Sequence, residues 1–234
     1  MSVKISIIIP VYNEDKTITE LLNKVERINN LNKQILIVDD ASSDLTLKKI
    51  SDFKFKSEYR ILAHKKNTGK GGAIHTAKKY VDGEIVIIQD GDLEYDPADY
   101  EKLIDPIIKK KTRVVYGSRV LGKTRYEIKS FTSIFRIFCN HMLTLISNLI
   151  NNQNLTDSHT CYKVFDATWF RSIKLTENRF GFCPEITTKV SNHKLKIIEV
   201  PINYKGRKYS EGKKISYLDG IRAIYCLIKY KFVQ

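Results

Sequence analysis

The sequence is poor in the residues that cross-link a chain or direct it out of the cell. Only four of its 234 residues are cysteine, and Cys139, Cys161, Cys183 and Cys226 form no Cys-x-x-Cys pair or metal-ligand cluster. Too few residues precede Pro10 for the apolar region of a signal peptide. A disulfide-rich secreted fold is therefore not expected, and the cysteines are predicted to be reduced thiols of a cytoplasmic protein.

Long apolar runs are also missing. No uninterrupted apolar stretch reaches the roughly 18 residues of a membrane-spanning helix. The sequence contains no internal repeat, low-complexity tract or obvious linker, so residues 1–234 are predicted to form one domain. Hydrophobic residues make up 42% of the chain, which is enough for a substantial core.

Acidic residues are the minority among the charged side chains. Forty Lys and Arg residues against 26 Asp and Glu give a formal net charge of +14. An excess of this size indicates an anionic partner, and nucleic acid, a membrane surface and phosphorylated substrates all qualify. Because the sequence has no RNP motif, zinc-finger spacing or arginine-rich arm, nucleic acid is the weaker candidate and is not expected as a partner.

Strand and helix patterns alternate along the first half of the chain. Runs rich in Ile and Val predict strands at residues 3–10, 34–38, 60–63, 84–88 and 114–119. The segments between these runs carry apolar residues at helical spacing. Such alternation predicts an α/β fold with a mostly parallel central sheet flanked by helices.

Acidic residues follow three of the predicted strands. They are Glu14 after the first strand, Asp39 and Asp40 after the second, and Asp90 and Asp92 after the fourth. Ligands of parallel sheets bind outside the carboxyl ends of the strands, so these acids are expected to meet at one site. Turn chemistry explains one such cluster, but three converging clusters favour a binding site. Asp90 and Asp92 are predicted to hold Mg²⁺ or Mn²⁺, and the metal to hold a diphosphate.

A glycine-rich segment, Gly69-Lys70-Gly71-Gly72, precedes the strand at 84–88 and opens a predicted helix. It is neither a Walker A loop nor a complete G-x-G-x-x-G fingerprint. The residues alone support two roles about equally. The glycines either satisfy the turn that starts the helix, or they face a phosphate group.

The alternation ends after residue 119. Residues 131–150 place apolar side chains at helical spacing, interrupted by Arg136 and three other polar residues. An amphipathic helix in a membrane interface fits this pattern, and so does an ordinary helix packed on its own sheet. The remaining predictions are a helix at 181–193, one bent strand or a strand pair at 195–204, a basic run at 205–214 and a helix at 217–232.

Nine short motifs between residues 4 and 232 carry a family resemblance. The first four are Ile-Ile-Ile-Pro-Val-Tyr-Asn-Glu (7–14), Val-Asp-Asp-Ala-Ser-Ser-Asp (38–44), Asn-Thr-Gly-Lys-Gly-Gly-Ala (67–73) and Asp-Gly-Asp-Leu-Glu-Tyr-Asp-Pro (90–97). They resemble the GT-A glycosyltransferases of family 2. The other five are Gly-Ser-Arg (117–119), Leu-Thr-Asp-Ser-His-Thr-Cys-Tyr-Lys-Val-Phe (155–165), Gly-Phe-Cys-Pro-Glu (181–185), Glu-Val-Pro-Ile-Asn-Tyr (199–204) and Glu-Gly-Lys-Lys-Ile (211–215). These look like the dolichyl-phosphate mannosyltransferase branch.

The resemblance implies a GT-A fold and an activity. It implies a nucleotide-sugar-binding half at about 1–120, amphipathic membrane-interface helices at about 129–150, and an acceptor-side half with a small C-terminal elaboration at about 151–234. The implied reaction moves a sugar, with inversion, from a UDP- or GDP-sugar to a polyprenyl phosphate. The enzyme would act as a peripheral protein on the cytoplasmic face of an anionic membrane.

The resemblance also implies roles for individual residues. Asp90 and Asp92 match metal ligands for Mg²⁺ or Mn²⁺, with Glu94 as a third ligand where relatives often carry Gln. Pro10, Tyr12, Glu14, Asp39 and Asp40 match the base and ribose pocket, and Lys70, Gly91, Arg119 and Arg207 complete the donor site. Arg119, Arg136, Arg207, Lys213 and Lys214 are expected at the acceptor phosphate. Asp157 and Asp92 are expected at the reaction centre.

Two alternatives stay open at this point. The same fold and donor serve transfer to a glycan or another hydroxyl group. A basic membrane- or nucleic-acid-binding module without catalysis would also explain the charge. A lipid phosphate brings its own nucleophilic oxygen and mainly needs cations, whereas a strong general base at Asp157 would indicate a hydroxyl acceptor.

Overall fold

A computed structural model describes residues 3–121, 131–207 and 217–232; within them, the side chains of 131–136 and 217–219 are not described. Seven strands form its central sheet. They are β1 (Lys4–Val11), β2 (Asn32–Asp39), β3 (Glu58–Ala63), β4 (Ile85–Ile88), β5 (Val114–Ser118), β6 (Lys163–Asp166) and β7 (Ile197–Pro201). The strand order is β3-β2-β1-β4-β6-β5-β7.

Helices cover both faces of this sheet. They are α1 (Ile18–Glu26), α2 (Thr46–Asp52), α3 (Lys70–Lys78), α4 (Tyr100–Ile108), α5 (Phe131–Asn151), α6 (Ala167–Ser172), α7 (Phe182–Asn192) and α8 (Tyr217–Phe232). A short 3-10 turn, Pro97–Asp99, precedes α4. The GT-A architecture predicted from the sequence is confirmed.

The apolar strand residues separate into two cores because successive side chains of a strand point to opposite faces. Ile7 of β1 packs in the core that contains Leu22 of α1. Ile8 packs in the other core, with Ile74 of α3 and Ile186 of α7. All five side chains are fully buried. Burial on both faces explains why the β1 sequence is nearly continuous in isoleucine rather than alternating.

One strand departs from the parallel pattern. β6 lies between β4 and β5 and is antiparallel to both. Val164 of β6 pairs with Ile87 of β4 and with Val115 of β5. Because β6 runs in reverse, its start lies at the edge of the sheet where β4 and β5 end. The residues just before Lys163 are thereby carried to the same edge as the acidic strand ends.

The two long helices of the second half, α5 and α8, contact each other and both contact α7. The polarity of α5 is inverted, since its buried side includes Thr144, Ser147 and Asn151. The exposed apolar stripe, as we call it, consists of eight side chains on these two helices. They are Phe138, Met142, Leu145 and Leu149 on α5, and Ile221, Tyr225, Ile228 and Phe232 on α8. The stripe points away from the protein core.

The predicted helical spacing at 131–150 is therefore confirmed, and the stripe is not packed on the chain's own sheet. Apolar side chains normally form the inward face of a surface helix, so this arrangement leaves an apolar surface that the described residues do not cover. Within the described ranges, no helix has both the length and the hydropathy needed to cross a membrane.

Candidate active site

The acidic ends of β1, β2 and β4 meet at one edge of the sheet, as the sequence predicts. The backbone N–H of Asp40 donates to the carbonyl of Val11 at 2.8 Å, which fixes the end of β2 beside the end of β1. The guanidinium of Arg207 joins the end of β1 to the end of β4. It contacts Glu14 after β1 at 2.9 Å and Asp92 after β4 at 2.9 Å.

Each of the two predicted metal-binding carboxylates is paired with a cation. Asp90 accepts a hydrogen bond from the ammonium of Lys70, and Asp92 accepts one from Arg207. Burial alone would lower the pKa of Lys70, but the charge and hydrogen bond of Asp90, together with Cys161 and Cys183, outweigh burial and raise the pKa well above its ordinary value. Burial, followed by the charges of Asp90 and Glu94, raises the pKa of Asp92 to about 7 despite the contact with Arg207.

The raised pKa of Asp92 reflects burial first and the neighbouring negative charges of Asp90 and Glu94 second. A divalent cation would offset that charge, and carboxylate oxygens are the donors that Mg²⁺ and Mn²⁺ prefer. The donor set of Asp90 and Asp92 therefore fits the predicted metal. Gly91 between them is required by packing, because a Cβ at this position would lie 2.8 Å from the Val11 side chain.

Glu94 is occupied by the segment that carries Arg207. Its carboxylate accepts from the Tyr204 hydroxyl at 2.8 Å and from the Arg207 backbone N–H at 2.7 Å. In the part of the chain that the structure describes, no three His, Cys, Asp or Glu side chains are arranged as a metal-binding group. The role of Glu94 as a third ligand stays a prediction, and its observed contacts position Arg207.

The two acids at the end of β2 differ in their hydrogen bonding. Asp40 accepts from Thr68, from the Gly69 N–H at 2.6 Å and from the ring of His64 at 2.7 Å. Burial would raise the pKa of Asp40, but these hydrogen bonds outweigh it and lower the pKa. Asp39 is buried, and its Oδ1 has no hydrogen-bond partner. Asp40 therefore organises the glycine-rich loop, while Asp39 offers a free acceptor to a ligand.

The glycines of the loop at 69–72 are explained by packing. Gly69 has a φ of +86°, and a Cβ on Gly71 would lie 2.0 Å from the carbonyl oxygen of Glu177. The N–H of Gly72 donates to the Asn178 carbonyl at 2.7 Å. Of the two roles predicted for this segment, these contacts favour the turn that starts α3.

Two further predicted site residues belong to the first strand and its end. Pro10 lies within β1, and Tyr12, which is partly buried, directly follows β1.

Asp157 and Arg119 form a buried ion pair beside the same edge. Nε and Nη2 of Arg119 donate to the two carboxylate oxygens of Asp157 at 2.7 and 2.8 Å. Burial would raise the pKa of Asp157, but the charge and hydrogen bonds of Arg119 outweigh it and hold the pKa below its ordinary value. Asp157 is therefore an ionised and weakly basic carboxylate, and Arg119 is committed to it.

Two charged residues that sequence reasoning did not select support this pair, namely the partly buried Glu199 and the buried Lys163. Glu199 of β7 accepts from the backbone N–H of Thr156 at 2.7 Å and of Asp157 at 2.9 Å. Lys163 donates to the Ser158 carbonyl at 2.9 Å, and burial lowers its pKa to about 8. The sequence signal that could have identified both residues is a charged side chain within an otherwise apolar strand.

Three predicted site residues cannot be placed. The side chain of Arg136, and all of Lys213 and Lys214, lie outside the described residues.

His159 should make the folded protein sensitive to acid. Burial, aided by the charge of Lys163, lowers the pKa of His159 to about 4, and its Nε2 has no hydrogen-bond partner. Between pH 4 and the ordinary value of about 6.5, the unfolded chain binds a proton that the folded chain does not. Stability therefore rises with pH across this window, by up to about 1.4 kcal/mol per pH unit for one proton.

Urea unfolding at a series of pH values tests this expectation. His159→Gln is expected to flatten the dependence of the unfolding free energy on pH relative to the wild type. Equal slopes in the wild type and His159→Gln would contradict the assignment.

Comparison with known proteins agrees with this geometry. The family model described as glycosyl transferase family 2 matches residues 6–174. A UDP-N-acetylglucosamine–dolichyl-phosphate N-acetylglucosaminyltransferase of Methanococcus voltae is 30% identical over 245 residues, covering 97% of this chain and 96% of the relative. The dolichol-phosphate mannosyltransferase of Pyrococcus furiosus is 26% identical over 235 residues, which cover 97% of this chain and 64% of the relative.

Solved structures show the same fold at low sequence identity. A glucosyl-3-phosphoglycerate synthase from Mycobacterium tuberculosis, solved with Mn²⁺, UDP and phosphoglyceric acid, superimposes with a TM-score of 0.75 at 16% identity, covering 99% of this chain and 80% of the other. Mannosyl-3-phosphoglycerate synthase from Rubrobacter xylanophilus superimposes with a TM-score of 0.69 at 18% identity. The match covers 97% of this chain and 72% of the other. Because the family model spans the chain from β1 through α6 and a 30%-identical relative aligns along almost its whole length, the protein belongs to glycosyl transferase family 2 and is a glycosyltransferase.

Proposed function

We propose that the protein transfers a sugar, with inversion, from a nucleotide diphosphate sugar to a polyprenyl phosphate at a membrane surface, using Mg²⁺ or Mn²⁺. The observation that carries the proposal is the exposed apolar stripe of α5 and α8 on the same chain as the nucleotide-sugar fold. The names of the Methanococcus voltae and Pyrococcus furiosus relatives, both dolichyl- or dolichol-phosphate transferases, support it. The choice between UDP and GDP stays open.

The donor would bind over the acidic strand ends. Asp90 and Asp92 would hold the metal, which when bound stabilises negative charge on the departing diphosphate. Lys70 and Arg207 pair with these carboxylates in the structure, and they would contact the donor phosphates once a metal neutralised the carboxylates instead. The unpaired Oδ1 of Asp39 is suited to accept from a nucleoside hydroxyl or N–H.

The protonation state of Asp157 supports a phosphate acceptor. A phosphate monoester has a second pKa of about 6, so its oxygen is nucleophilic near neutral pH without a strong general base. A hydroxyl acceptor needs a base that removes its proton. The lowered pKa of Asp157 and its bidentate contact with Arg119 make it a poor base. We therefore assign Asp157 to orienting Arg119 at the acceptor side.

A transfer assay separates the candidate acceptors. Purified protein is incubated with Mn²⁺, detergent-dispersed polyprenyl phosphate and labelled UDP- or GDP-sugars, and the label is partitioned between organic and aqueous phases. The proposal predicts label in the organic phase that depends on the polyprenyl phosphate. Label in a water-soluble glycan product would instead establish a hydroxyl acceptor. Salt-sensitive DNA binding without donor binding would support a non-catalytic module.

The exposed stripe should be needed for membrane association. Leu149 is 85% exposed and Phe232 is 81% exposed, so burying each in a bilayer is worth about 1.5–3 kcal/mol. The double variant Leu149→Ser/Phe232→Ser is expected to bind lipid vesicles at least about 100-fold more weakly, as measured by cosedimentation.

Donor binding is expected to be unchanged in that variant. Leu45→Ser/Ile108→Ser serves as the matched control, because it removes two exposed apolar side chains that lie outside the stripe. Leu45 lies next to α2 and Ile108 lies on α4. Equal vesicle binding by the stripe variant and this control would contradict a membrane role for the stripe.

A further inference from the structure

A polar pocket separate from the candidate active site lies where α5, α7 and α8 end. Its volume is about 410 Å³, and its lining includes Asn151, Gln153, Ser191, Lys194, Lys196 and Lys231. It adjoins the amino end of β7, which begins at Ile197 and runs parallel to β5. The candidate active site is at the carboxyl ends of the strands, so this pocket lies at the opposite edge of the sheet.

The charge of this pocket is positive and uncompensated. Lys189 and Lys229, nearby on α7 and α8, are paired with Glu185 and Glu177. By contrast, no described carboxylate forms an ion pair with the pocket lysines Lys194, Lys196 and Lys231. The ammonium of Lys231 is 3.5 Å from the hydroxyl of Ser191. Three lysines without acids around one cavity favour an anionic ligand.

Unpaired amides in the same pocket add a second requirement. Asn151 is 2% exposed, and its Nδ2 contacts the Thr188 hydroxyl at 3.2 Å, while its Oδ1 has no hydrogen-bond partner. Neither amide atom of Gln153 has a partner, although both are buried. Buried polar atoms are normally paired, so a water or ligand that reaches these atoms would satisfy them. Amide oxygens accept hydrogen bonds from hydroxyl groups. Lysines that bind an anion do not donate to these oxygens.

The pocket lies beside one end of the exposed apolar stripe along the chain. Leu149, at one end of the stripe, precedes Asn151 by two residues on α5, and Phe232 directly follows Lys231 on α8. When an apolar stripe inserts at a bilayer interface, polar groups at its rim lie at the level of the lipid headgroups. A lysine there keeps its ammonium among phosphates while its stem contacts apolar surface.

We propose that this pocket binds the headgroup of a hydroxylated anionic phospholipid, of the phosphoglycerol type. The lysines contact the phosphate oxygens, and the amides of Asn151 and Gln153 contact the headgroup hydroxyls. The site is separate from the site of sugar transfer and serves to orient the enzyme on the membrane. The inference rests on the proposed function only in taking the stripe as the membrane-contacting surface.

Vesicle cosedimentation of the full chain tests the site. Vesicles of phosphatidylcholine alone are compared with vesicles containing phosphatidylglycerol, and with vesicles containing oleate at the same surface potential. The wild type is expected to prefer phosphatidylglycerol over oleate. A lysine near a membrane surface contributes about 1 kcal/mol, so Lys194→Gln/Lys231→Gln is expected to weaken binding to phosphatidylglycerol about 30-fold.

Two further variants separate a built site from diffuse attraction. Gln153→Leu changes no charge and is expected to remove most of the preference for phosphatidylglycerol over oleate. Lys48→Gln/Lys54→Gln makes the same charge change around α2, near β3 at the far edge of the sheet, and is expected to bind like the wild type. Circular dichroism and thermal unfolding establish that each variant is folded.

Three results would overturn the proposal. Equal wild-type affinity for phosphatidylglycerol and oleate would mean attraction by charge alone. An unaltered preference in Gln153→Leu would show that the amide of Gln153 does not contact the headgroup. Displacement from vesicles by soluble glycerol phosphate at equal concentration would make a free phosphate compound the ligand. Transfer to detergent-dispersed polyprenyl phosphate is measured in parallel. Its absence in the wild type would overturn the proposed function and leave the vesicle result readable.

Discussion

Asp92→Asn is expected to lower the turnover number roughly 1,000-fold or more, because it removes a charged oxygen from the group that would hold the metal at the departing diphosphate. The fold should not suffer. Burial and neighbouring acids raise the pKa of Asp92 to about 7, so ionisation of this side chain opposes folding at neutral pH. The unfolding free energy of Asp92→Asn is therefore expected to equal or exceed that of the wild type.

Steady-state kinetics, donor titration by calorimetry in the presence of Mn²⁺, and thermal unfolding measure these effects together. Asp105→Asn makes the same chemical change on the exposed surface of α4, where Asp105 pairs with Lys109. This control should retain wild-type turnover. Undiminished turnover in Asp92→Asn would remove Asp92 from the catalytic site, and a large loss of stability would give it a structural role instead.

Arg119→Met is expected to lower the unfolding free energy by about 3–5 kcal/mol, since it leaves the buried carboxylate of Asp157 without its partner. Arg113, whose side chain is 47% exposed in its pair with Asp166, provides the matched control. Arg113→Met is expected to cost only about 0–1 kcal/mol. Chemical denaturation with a fixed denaturant slope measures both values.

The double variant Arg119→Met/Asp157→Asn separates stability from activity. With neither charge present, most of the lost unfolding free energy should return, because no unpaired charge remains buried. Sugar transfer should stay low, since the cation assigned to the acceptor side is missing. A single variant Arg119→Met as stable as Arg113→Met would show that the ion pair contributes little. Full transfer activity in the double variant would remove Arg119 from the acceptor site.

The convergence of acids was predictable because it depends on local signals. Ile-rich runs identify β1, β2 and β4, the acids follow directly, and the parallel arrangement brings strand ends to one edge. The apolar spacing of α5 was predictable for the same reason. Its orientation was not, because periodicity places side chains on one face of a helix without identifying the neighbour of that face.

Features that depend on distant pairing escaped sequence reasoning. β6 has four residues, and its direction is set by pairing with β4 and β5 rather than by its own composition. The contact between Arg119 and Asp157 spans 38 residues, and that between Asp157 and Glu199 spans 42. Asp40 was selected as a ligand residue, yet its carboxylate is occupied by the glycine-rich loop. Hydrogen-bond partners of this kind are decided by tertiary structure.

The position of Arg207 in the sequence has a consequence for synthesis of the chain. Its guanidinium contacts Glu14 across 193 residues and Asp92 across 115. A ribosome therefore releases the first four strands long before it makes this counter-charge. Until then the carboxylates of Glu14 and Asp92 lack the cation that pairs with both in the folded chain. The electrostatic balance of the candidate site is completed only by a segment that follows all seven described strands of the sheet in the chain.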